Sequence, residues 1–569
     1  MIDESVLWGS NGDKILWRYH DTKKEVKHMR VADFFCGGGG FSEGFRQAGF
    51  NIVFAVDKWE PAITTYKGNK PGVNAILDDV IRISNLPDDE FEALVPDSEV
   101  IIGSPPCQSF SHSNKSGNAD KSIGIQLIEA YLKIIARKKY KKNSILKYWV
   151  LENVPSVKEY IKSEYTAADL GLEGSFVLKP HEGNSGKYNA KYYGAPTNRE
   201  RYLCGEFPPL QKTNTDDNVK TLADVLASLG NPLSQTPNEV TDLNYPTLVL
   251  PKNQVTDHQY IYELAPFEWK TAERLKRDKG YMGKMSFPEN LSKPARTVMA
   301  TMTASSREAM ILGYKKGKYR LPTVREAATM MSFPIDYWFY GKTKSIKHTL
   351  VGNAVPPKMS YAIAKAIMLK EGERLPAQYP LIHHDDNIAF VNLNGNIFPQ
   401  KQEKERRSTA KFKYHIPYLI QSKYRVELTN YHSNFGDEEH SPAFKWDAEI
   451  HYSQGKDKAK VYTPQLTLSQ IDEKFRPFVK EFIRQKCDNL SSYNDFQARY
   501  CMTTKDRKKS NVIGPYELLE EVKAFLVKTI PEQQFQNQVY LQEDPQTLPL
   551  AIATGYIILN QITHEMGGK

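Results

Sequence analysis

From about residue 30 onward, short apolar runs alternate with amphipathic stretches. RVADFF is apolar, meets the glycines Gly37 to Gly40, and gives way to FSEGFRQAGF, where Phe41, Phe45 and Ala48 recur at helical spacing. That pattern predicts a strand, a tight turn and a helix. A second run, NIVFAVDKW, ends in Asp57, and two further runs, EVIIGSPP around Ile101 and YWVLENVP around Leu151, each follow a helical or loop segment. Apolar strands alternating with helices predict an α/β fold, a parallel sheet with helices on both faces.

The alternation thins over 207–290, where KTNTDDNVK and LSQTPNEVTDLNYP are rich in Pro, Asn, Asp and Thr. This stretch is expected to be a separate insert, irregular or β-rich. Alternation returns with KPARTVMATM, the helical REAATMM and the helix PPKMSYAIAKAIMLK, so the first globular unit is expected to close near 371. A polar connector containing HHDDN and KQEKERRSTAK fills 372–410. Beyond it, KYRVELTNYHS and FKWDAEIHYS predict strands and YELLEEVKAFLVKTI an amphipathic helix, so 411–569 is expected to be a C-terminal α+β domain. Residues 1–29 read as a polar leader, and no internal repeat is seen.

A chain of 569 residues exceeds one ordinary domain. No apolar run approaches the roughly 20 residues that cross a bilayer, and MIDESVLWGSNGDK lacks the basic and apolar regions of an export signal, so the cytoplasm is the expected compartment. The five cysteines, Cys36, Cys107, Cys204, Cys487 and Cys501, are odd in number and lack CxxC spacing. That argues against a disulfide framework and a structural zinc site, and no metal is expected. A formal charge of +9 favours a polyanionic partner without specifying one. The runs ARKKYKK (136–142) and KQEKERR (401–407) read as solvated faces.

Candidate chemistry sits at the ends of the apolar runs. Glycines between strand and helix let backbone approach a ligand closely, and an acidic residue ending the next strand, Asp57, can hold ribose hydroxyls. The GGGGFSEG spacing does not fit GxGxxG, which disfavours a dinucleotide; a nucleoside cofactor would draw on Trp59 and the pair Asp78 and Asp79. In GSPPCQSFSHS, Cys107 follows two prolines at a strand end and could act as a nucleophile. Glu152 in LENVP ends another apolar run, where a carboxylate is costly to bury without a hydrogen-bonding role. In YYGAPTNRERYLCGE, Arg199 and Arg201 alternate, which predicts both guanidinium groups on one face.

In this order, DFFCGGGGF, VDKW, GSPPCQSFS, LENVP, YYGAPTNRER, RLPTVREAATMMSFP and VGNAVPP resemble the cytosine-5 DNA methyltransferases. The resemblance implies a Rossmann-like S-adenosylmethionine-dependent methyltransferase domain over 30–206 and 291–371, with a small target-recognition insert at 207–290. It implies methyl transfer to carbon 5 of a cytosine flipped out of double-stranded DNA. Cys107 would attack carbon 6, Glu152 would hold N3 and the exocyclic amine, Arg201 would bind O2, and Arg199 would order the site. Implied cofactor positions are Phe35, Cys36, Gly37, Gly38, Gly39, Gly40, Asp57, Lys58, Trp59, Asp79, Asn353 and Ala354. Thr197 stands where a glutamine usually precedes NRER, and FCGGGG replaces FAGxGG. SFSHSNKSGN would close over DNA, with His112 and Lys115 near phosphates. The implied setting is a restriction-modification or defence system, with a cognate restriction endonuclease as a further partner and a monomeric enzyme. An RNA cytosine-5 methyltransferase and a catalytically silent DNA-binding protein on the same scaffold are the alternatives. For 411–569, an accessory DNA-binding module is expected ahead of a fused nuclease, to which Asp447, Glu449 and Lys456 would contribute.

Overall fold

The computed structural model describes residues 28–106, 110, 121–234, 236–277, 285–436, 440–453, 460–490 and 492–568; of 1–27 it describes only the backbone of Leu7–Trp8 and Lys14–Ile15. The strands β1 (Arg30–Phe34), β2 (Asn51–Asp57), β3 (Asn74–Leu77), β4 (Val100–Gly103), β5 (Tyr148–Asn153), β6 (Gly186–Asn189) and β7 (Glu200–Glu206) form a seven-stranded sheet ordered β6-β7-β5-β4-β1-β2-β3. β5, β4, β1, β2 and β3 run parallel, and β7 is antiparallel to both β5 and β6.

Both faces of this sheet are covered, as its residue alternation requires. Ala32, Phe34, Phe54, Val56, Ile101, Trp149 and Leu151 enter one core, which the helix Ser122–Tyr140 closes through Tyr131, Leu132 and Ile135. Their neighbours Val31, Ile52, Ala55, Val100, Ile102, Tyr148 and Val150 enter the opposite core with Phe41, Phe45, Met359 and Ile363 from the helices Gly40–Gln47 and Pro357–Lys370. Chain order reverses between β1 and β4. The carboxyl ends of β1, β2, β4 and β5 therefore open on a crevice at the switch point, where ligands bind in such sheets.

Much of the described part of 207–290 is irregular, but two helices and a shared core depart from the expectation of a separate, irregular or β-rich insert. The stretch carries the helices Leu222–Leu229 and Pro266–Arg277, and its strands are only two or three residues long. The signals were local: Thr221 and Asp224 form a capping box, and Pro266 opens the second helix. Its apolar residues Leu222, Val225, Tyr245 and Leu264 share one core with Val298, Leu321, Met330 and Leu350 from later in the chain. The connector 372–410 also packs along this lobe. Leu393 is buried and its N–H donates to Asp257 Oδ1 at 3.0 Å, while the Tyr379 hydroxyl donates to Asp336 Oδ1 at 2.9 Å.

ARKKYKK is not wholly a solvated face either. Lys138 is buried and its ammonium donates to Val95 O, Glu92 Oε2 and Asp97 Oδ1, partners a sequence run cannot show because they lie on another segment. Further on, β8 (Lys413–His415), β9 (Tyr424–Thr429), β10 (Asp447–Tyr452) and β11 (Lys460–Tyr462) form a four-stranded antiparallel sheet. Val426, Leu428, Ala448 and Ile450 share a core with the helices Pro515–Thr529 and Leu550–Gly567. Among the described residues no helix is long and apolar enough to cross a membrane.

Candidate active site

The turn after β1 is built on two left-handed residues, Phe35 at φ 54° and Gly37 at φ 51°. The Gly37 N–H donates to Asp57 Oδ2 at 2.9 Å, and Asp57 Oδ1 accepts from the Trp59 N–H at the same distance. The ends of β1 and β2 are thus locked together through one carboxylate. Burial raises the Asp57 carboxyl above its ordinary value, against the pull of these backbone donors. A side chain built on Gly37 would meet nothing within 4 Å, so the turn is open on that side. The Asp78 N–H donates to the Asp57 backbone carbonyl, which ties the Asp78–Asp79 turn to the end of β2; Asp79 itself caps the next helix through the Ile81 N–H at 2.8 Å.

Phe35, Gly37, Asp57, Lys58, Trp59, Asp79 and Asn353 keep solvent-facing surface, whereas Cys36, Gly38, Gly39, Gly40 and Ala354 are buried. The Cys36 side chain enters a core, and burial, reinforced by the Asp33 and Asp57 charges, pushes its thiol well above its usual range. Beneath the turn lies a cationic support that the sequence did not reveal. The Lys70 ammonium donates to Gly39 O at 3.3 Å and to the Tyr337 hydroxyl at 3.1 Å, and that hydroxyl donates to Gly38 O. Lys70 and Tyr337 are too far from GGGG in the chain to be linked to it by any local pattern.

At the neighbouring strand ends, Glu152 and Arg201 are both buried, with Arg201 Nε 3.0 Å from Glu152 Oε1. The antiparallel pairing of β5 with β7 places them there, since Leu203 lies opposite Glu152 and Tyr202 opposite Asn153. The Ser104 hydroxyl donates to Glu152 Oε2 at 2.5 Å. Oε1, although close to the guanidinium, makes no hydrogen bond and is buried, an acceptor with directional capacity to spare. Ser104 was not singled out from sequence, although its place between Gly103 and the prolines marks a strand end.

Arg199 does not share the Arg201 side-chain environment. Its guanidinium donates to Val298 O at 3.3 Å and Ala354 O at 3.0 Å, tying the NRER segment to KPARTV and to VGNAVPP. It precedes β7 rather than lying within it, so strict strand alternation does not carry across from Arg201. Cys107, His112 and Lys115 lie outside the described residues. The residues flanking Cys107 are held at the ENV turn: Asn153 Nδ2 donates to Pro105 O at 2.9 Å, the Ser156 hydroxyl donates to Phe110 O at 2.7 Å, and Phe110 packs on Tyr160 with ring centroids 4.9 Å apart.

An open glycine turn, a strand-end carboxylate beside it and a buried carboxylate–guanidinium pair meet at one switch point, the arrangement of a doubly wound α/β enzyme whose ligand crevice lies at the strand ends. The family model for the C-5 cytosine-specific DNA methylases matches residues 29–369, and the chain belongs to that family. It is a DNA cytosine-5 methyltransferase, and the family's chemistry requires a methyl donor. The type II methyltransferase M.MthTI of Methanothermobacter thermautotrophicus is 29% identical over 363 residues, spanning 60% of this chain and 97% of that protein. The type II methyltransferase M.HindV of Haemophilus influenzae is 28% identical over 351 residues, 61% of this chain and 98% of that protein. The crystal structure of the S. pombe Dnmt2 methyltransferase covers 60% of this chain and 99% of its own, at 18% identity and a TM-score of 0.40.

Proposed function

We propose that the chain methylates carbon 5 of a flipped-out cytosine in duplex DNA with S-adenosylmethionine as donor, as the modification enzyme of a prokaryotic restriction-modification system. The observation that carries this reading is the buried Glu152–Arg201 pair, with one Glu152 oxygen held by Ser104 and the other without a hydrogen bond. A cytosine presents a ring nitrogen beside an exocyclic amine and a carbonyl, which call for a carboxyl group and a guanidinium respectively. The type II methyltransferases among its relatives support the restriction-modification setting. In that setting the enzyme works in the cytoplasm as a monomer, and a cognate endonuclease is its functional partner.

The residues around the turn fit the cofactor: the Gly37 side is open, and the Asp57 oxygens retain lone pairs beyond the two backbone donors. Asp57 would take the ribose hydroxyls, Phe35, Lys58 and Trp59 would flank the adenine, Asp79 would meet its amine, and Asn353 would close the far side. Cys36, Gly38, Gly39, Gly40 and Ala354 form the floor. When bound, S-adenosylmethionine supplies an electrophilic methyl group on a sulfonium centre.

Cys107, as thiolate, adds to carbon 6 of the cytosine. Glu152 delivers or shares a proton at N3, and Arg201 holds O2, so negative charge does not build up on the ring. Carbon 6 becomes tetrahedral, and the carbon 4–carbon 5 pair with its attached nitrogen becomes an enamine that is nucleophilic at carbon 5. After methylation, loss of the carbon 5 proton and departure of the Cys107 thiolate restore the double bond. Arg199 keeps the NRER segment in register with VGNAVPP, so that Arg201 stays aimed at Glu152. Residues 207–290 supply base readout in the major groove, and the SFSHSNKSGN segment, 109–118, offsets the few kcal/mol that flipping costs.

Methylation assays on duplex DNA and on transfer RNA, with bisulfite sequencing of DNA from expressing cells, test the reading. Methylated cytosines should resist bisulfite deamination in one fixed sequence context, and Cys107→Ser should abolish turnover while cofactor binding persists. Methylation of transfer RNA alone, or full turnover by Cys107→Ser, would overturn it.

A further inference from the structure

The C-terminal sheet is apolar on one face and charged on the other. Val426, Leu428, Ala448 and Ile450 enter the core, so strand alternation sends Arg425, Glu427, Asp447, Glu449 and His451 to the opposite face, with Lys413 beside them. A charged outer face is ordinary when solvated. Here it is not solvated: Glu427 is 6% exposed, Glu449 4% and His451 4%.

Glu427 and Glu449 sit directly opposite each other across β9 and β10, a like-charge placement that destabilises a sheet unless a cation joins the pair. The His451 imidazole lies between them, its Nε2 2.7 Å from Glu449 Oε2 and 3.2 Å from Glu427 Oε2. One ring nitrogen carries at most one proton, so it cannot donate fully to both carboxylates. The consequence is visible at Glu427. Oε1 accepts from Arg425 Nε at 2.6 Å, while the buried Oε2 has no hydrogen-bond partner.

Among the described residues, this is the group of His, Cys, Asp and Glu side chains whose ligand atoms converge, all within 4.8 Å of one another. Donors bound at about 2.0–2.2 Å to a zinc-like ion stand roughly 3 Å apart along the edges of its coordination polyhedron, and the two observed separations lie close to that. We propose that Glu427, Glu449 and His451 form a binding site for a divalent first-row transition metal such as Zn²⁺ or Mn²⁺, in the lobe beyond the methylase family match. Two carboxylates with one imidazole suit such ions better than Mg²⁺ or Ca²⁺, which prefer all-oxygen shells. Lys413, whose ammonium is 3.0 Å from Glu449 Oε2 and 3.6 Å from Glu427 Oε2, supplies positive charge to the same carboxylates and competes with the ion. Around the site, His432 Nδ1 is 3.0 Å from Asp447 Oδ2 and its Nε2 3.4 Å from Glu449 Oε1, which orients the Glu449 carboxylate. This departs from the sequence expectation of no metal, which rested on cysteine spacing and could not register a site made of oxygen and imidazole donors.

The full-length protein, stripped with a chelator and dialysed, is titrated with Zn²⁺ and Mn²⁺ by calorimetry and with Co²⁺ by visible absorption. The wild type should take up one equivalent. Glu427→Gln, Glu449→Gln and His451→Gln should each weaken binding at least about tenfold, with wild-type far-UV circular dichroism and a cooperative melt of the full-length protein, the C-terminal lobe included, as the check that each variant is folded. Lys413→Gln should bind at least as tightly as the wild type, because a competing cation is gone; a purely structural ion-pair network would give no uptake in either protein. If the Glu427 or Glu449 variant does not fold, the wild-type and Lys413→Gln titrations decide by themselves. Absence of uptake by the wild type, or uptake unchanged in folded Glu449→Gln and His451→Gln, overturns the proposal.

Discussion

Glu152 Oε1 lies 3.0 Å from the Arg201 guanidinium yet accepts no hydrogen bond, an arrangement that costs stability unless substrate completes it. Glu152→Gln keeps the shape and removes the proton-transfer capacity. It should lower kcat by about 10²- to 10⁴-fold, the usual contribution of a positioned acid or base, with the KM for the methyl donor nearly unchanged, as steady-state kinetics on duplex DNA would read. Asp33, one strand turn behind the glycines, makes a different prediction. Burial, opposed by the Ser42 hydroxyl and the Lys70 charge, pushes its carboxyl up to about 7. Between the ordinary carboxylate range and that value, the folded protein retains a proton that the unfolded chain has released. Asp33 therefore costs stability as pH rises toward 7, and the cost stays constant above it. Asp33→Asn should gain on the wild type across that window, by at most about 4 kcal/mol at 1.36 kcal/mol per unit, as chemical denaturation at pH 5 and pH 8 would show. Glu152, Arg201 and Asp57 were legible because each ends or begins an apolar run. Asp33 also stood in such a run, but the burial that raises it, and the Ser42, Lys70 and Tyr66 groups that oppose the rise, are properties of the folded chain.

The parallel strands were readable because burial on both faces leaves uninterrupted apolar runs, and β1, β2, β4 and β5 all fall on them. The helices Leu222–Leu229 and Pro266–Arg277 were hidden by the Pro- and Asn-rich stretches around them, and only their caps announced them. Helix-on-helix packing was not readable at all. Gly44, in the middle of Gly40–Gln47, stands in the sequence only as the last glycine of GGGGFSEG, at a spacing that fits no phosphate fingerprint, yet a Cβ there would sit 2.5 Å from Pro357 O and closer still to Ser360 Oγ and Tyr361 N. The helix Pro357–Lys370 crosses at that glycine because no side chain keeps it away. Gly44→Ala must force the two helices apart, shifting the glycine turn above them, and should cost about 3 kcal/mol and weaken binding of the methyl donor. Gly72, at φ 90° with nothing near its would-be Cβ, is the control: Gly72→Ala pays only backbone strain, about 1–2 kcal/mol, and should leave donor affinity unaltered. Thermal melts with and without S-adenosylmethionine compare the two.

At the scale of the whole chain, the placement of the connector governs where the methylase lobe can be cut. The Lys347 ammonium and the Asp257 carboxylate form a fully buried pair, 2.8 and 2.7 Å between them, in the lobe that faces the sheet. The pair is completed from the connector: Val391 O accepts from Lys347, and the Leu393 N–H donates to Asp257 Oδ1. Asn392 and Asn394 side chains accept from the Asp257 and His258 N–H groups, and Ile382 and Leu393 are buried in or against the same core. A chain ending at 371 would leave a buried ion pair short of partners and uncover two aliphatic side chains at about 1.5–3 kcal/mol each. Those losses reach the order of the 5–15 kcal/mol that hold an entire domain together. A chain ending at 400 retains all of these contacts, and it forfeits mainly the Lys401–Glu268 ion pair at 3.1 Å and the Arg274 guanidinium stacked 3.8 Å over the Tyr516 ring. Both of those lie near solvent or between lobes and contribute little by comparison. The 1–400 chain should therefore be soluble, melt cooperatively and methylate DNA, whereas the 1–371 chain should aggregate or melt at least about 10 °C lower. If 1–371 were as stable and active as 1–400, the connector would be a passive tether, and the hydrogen bonds from Val391 and Leu393 would carry no weight in the fold.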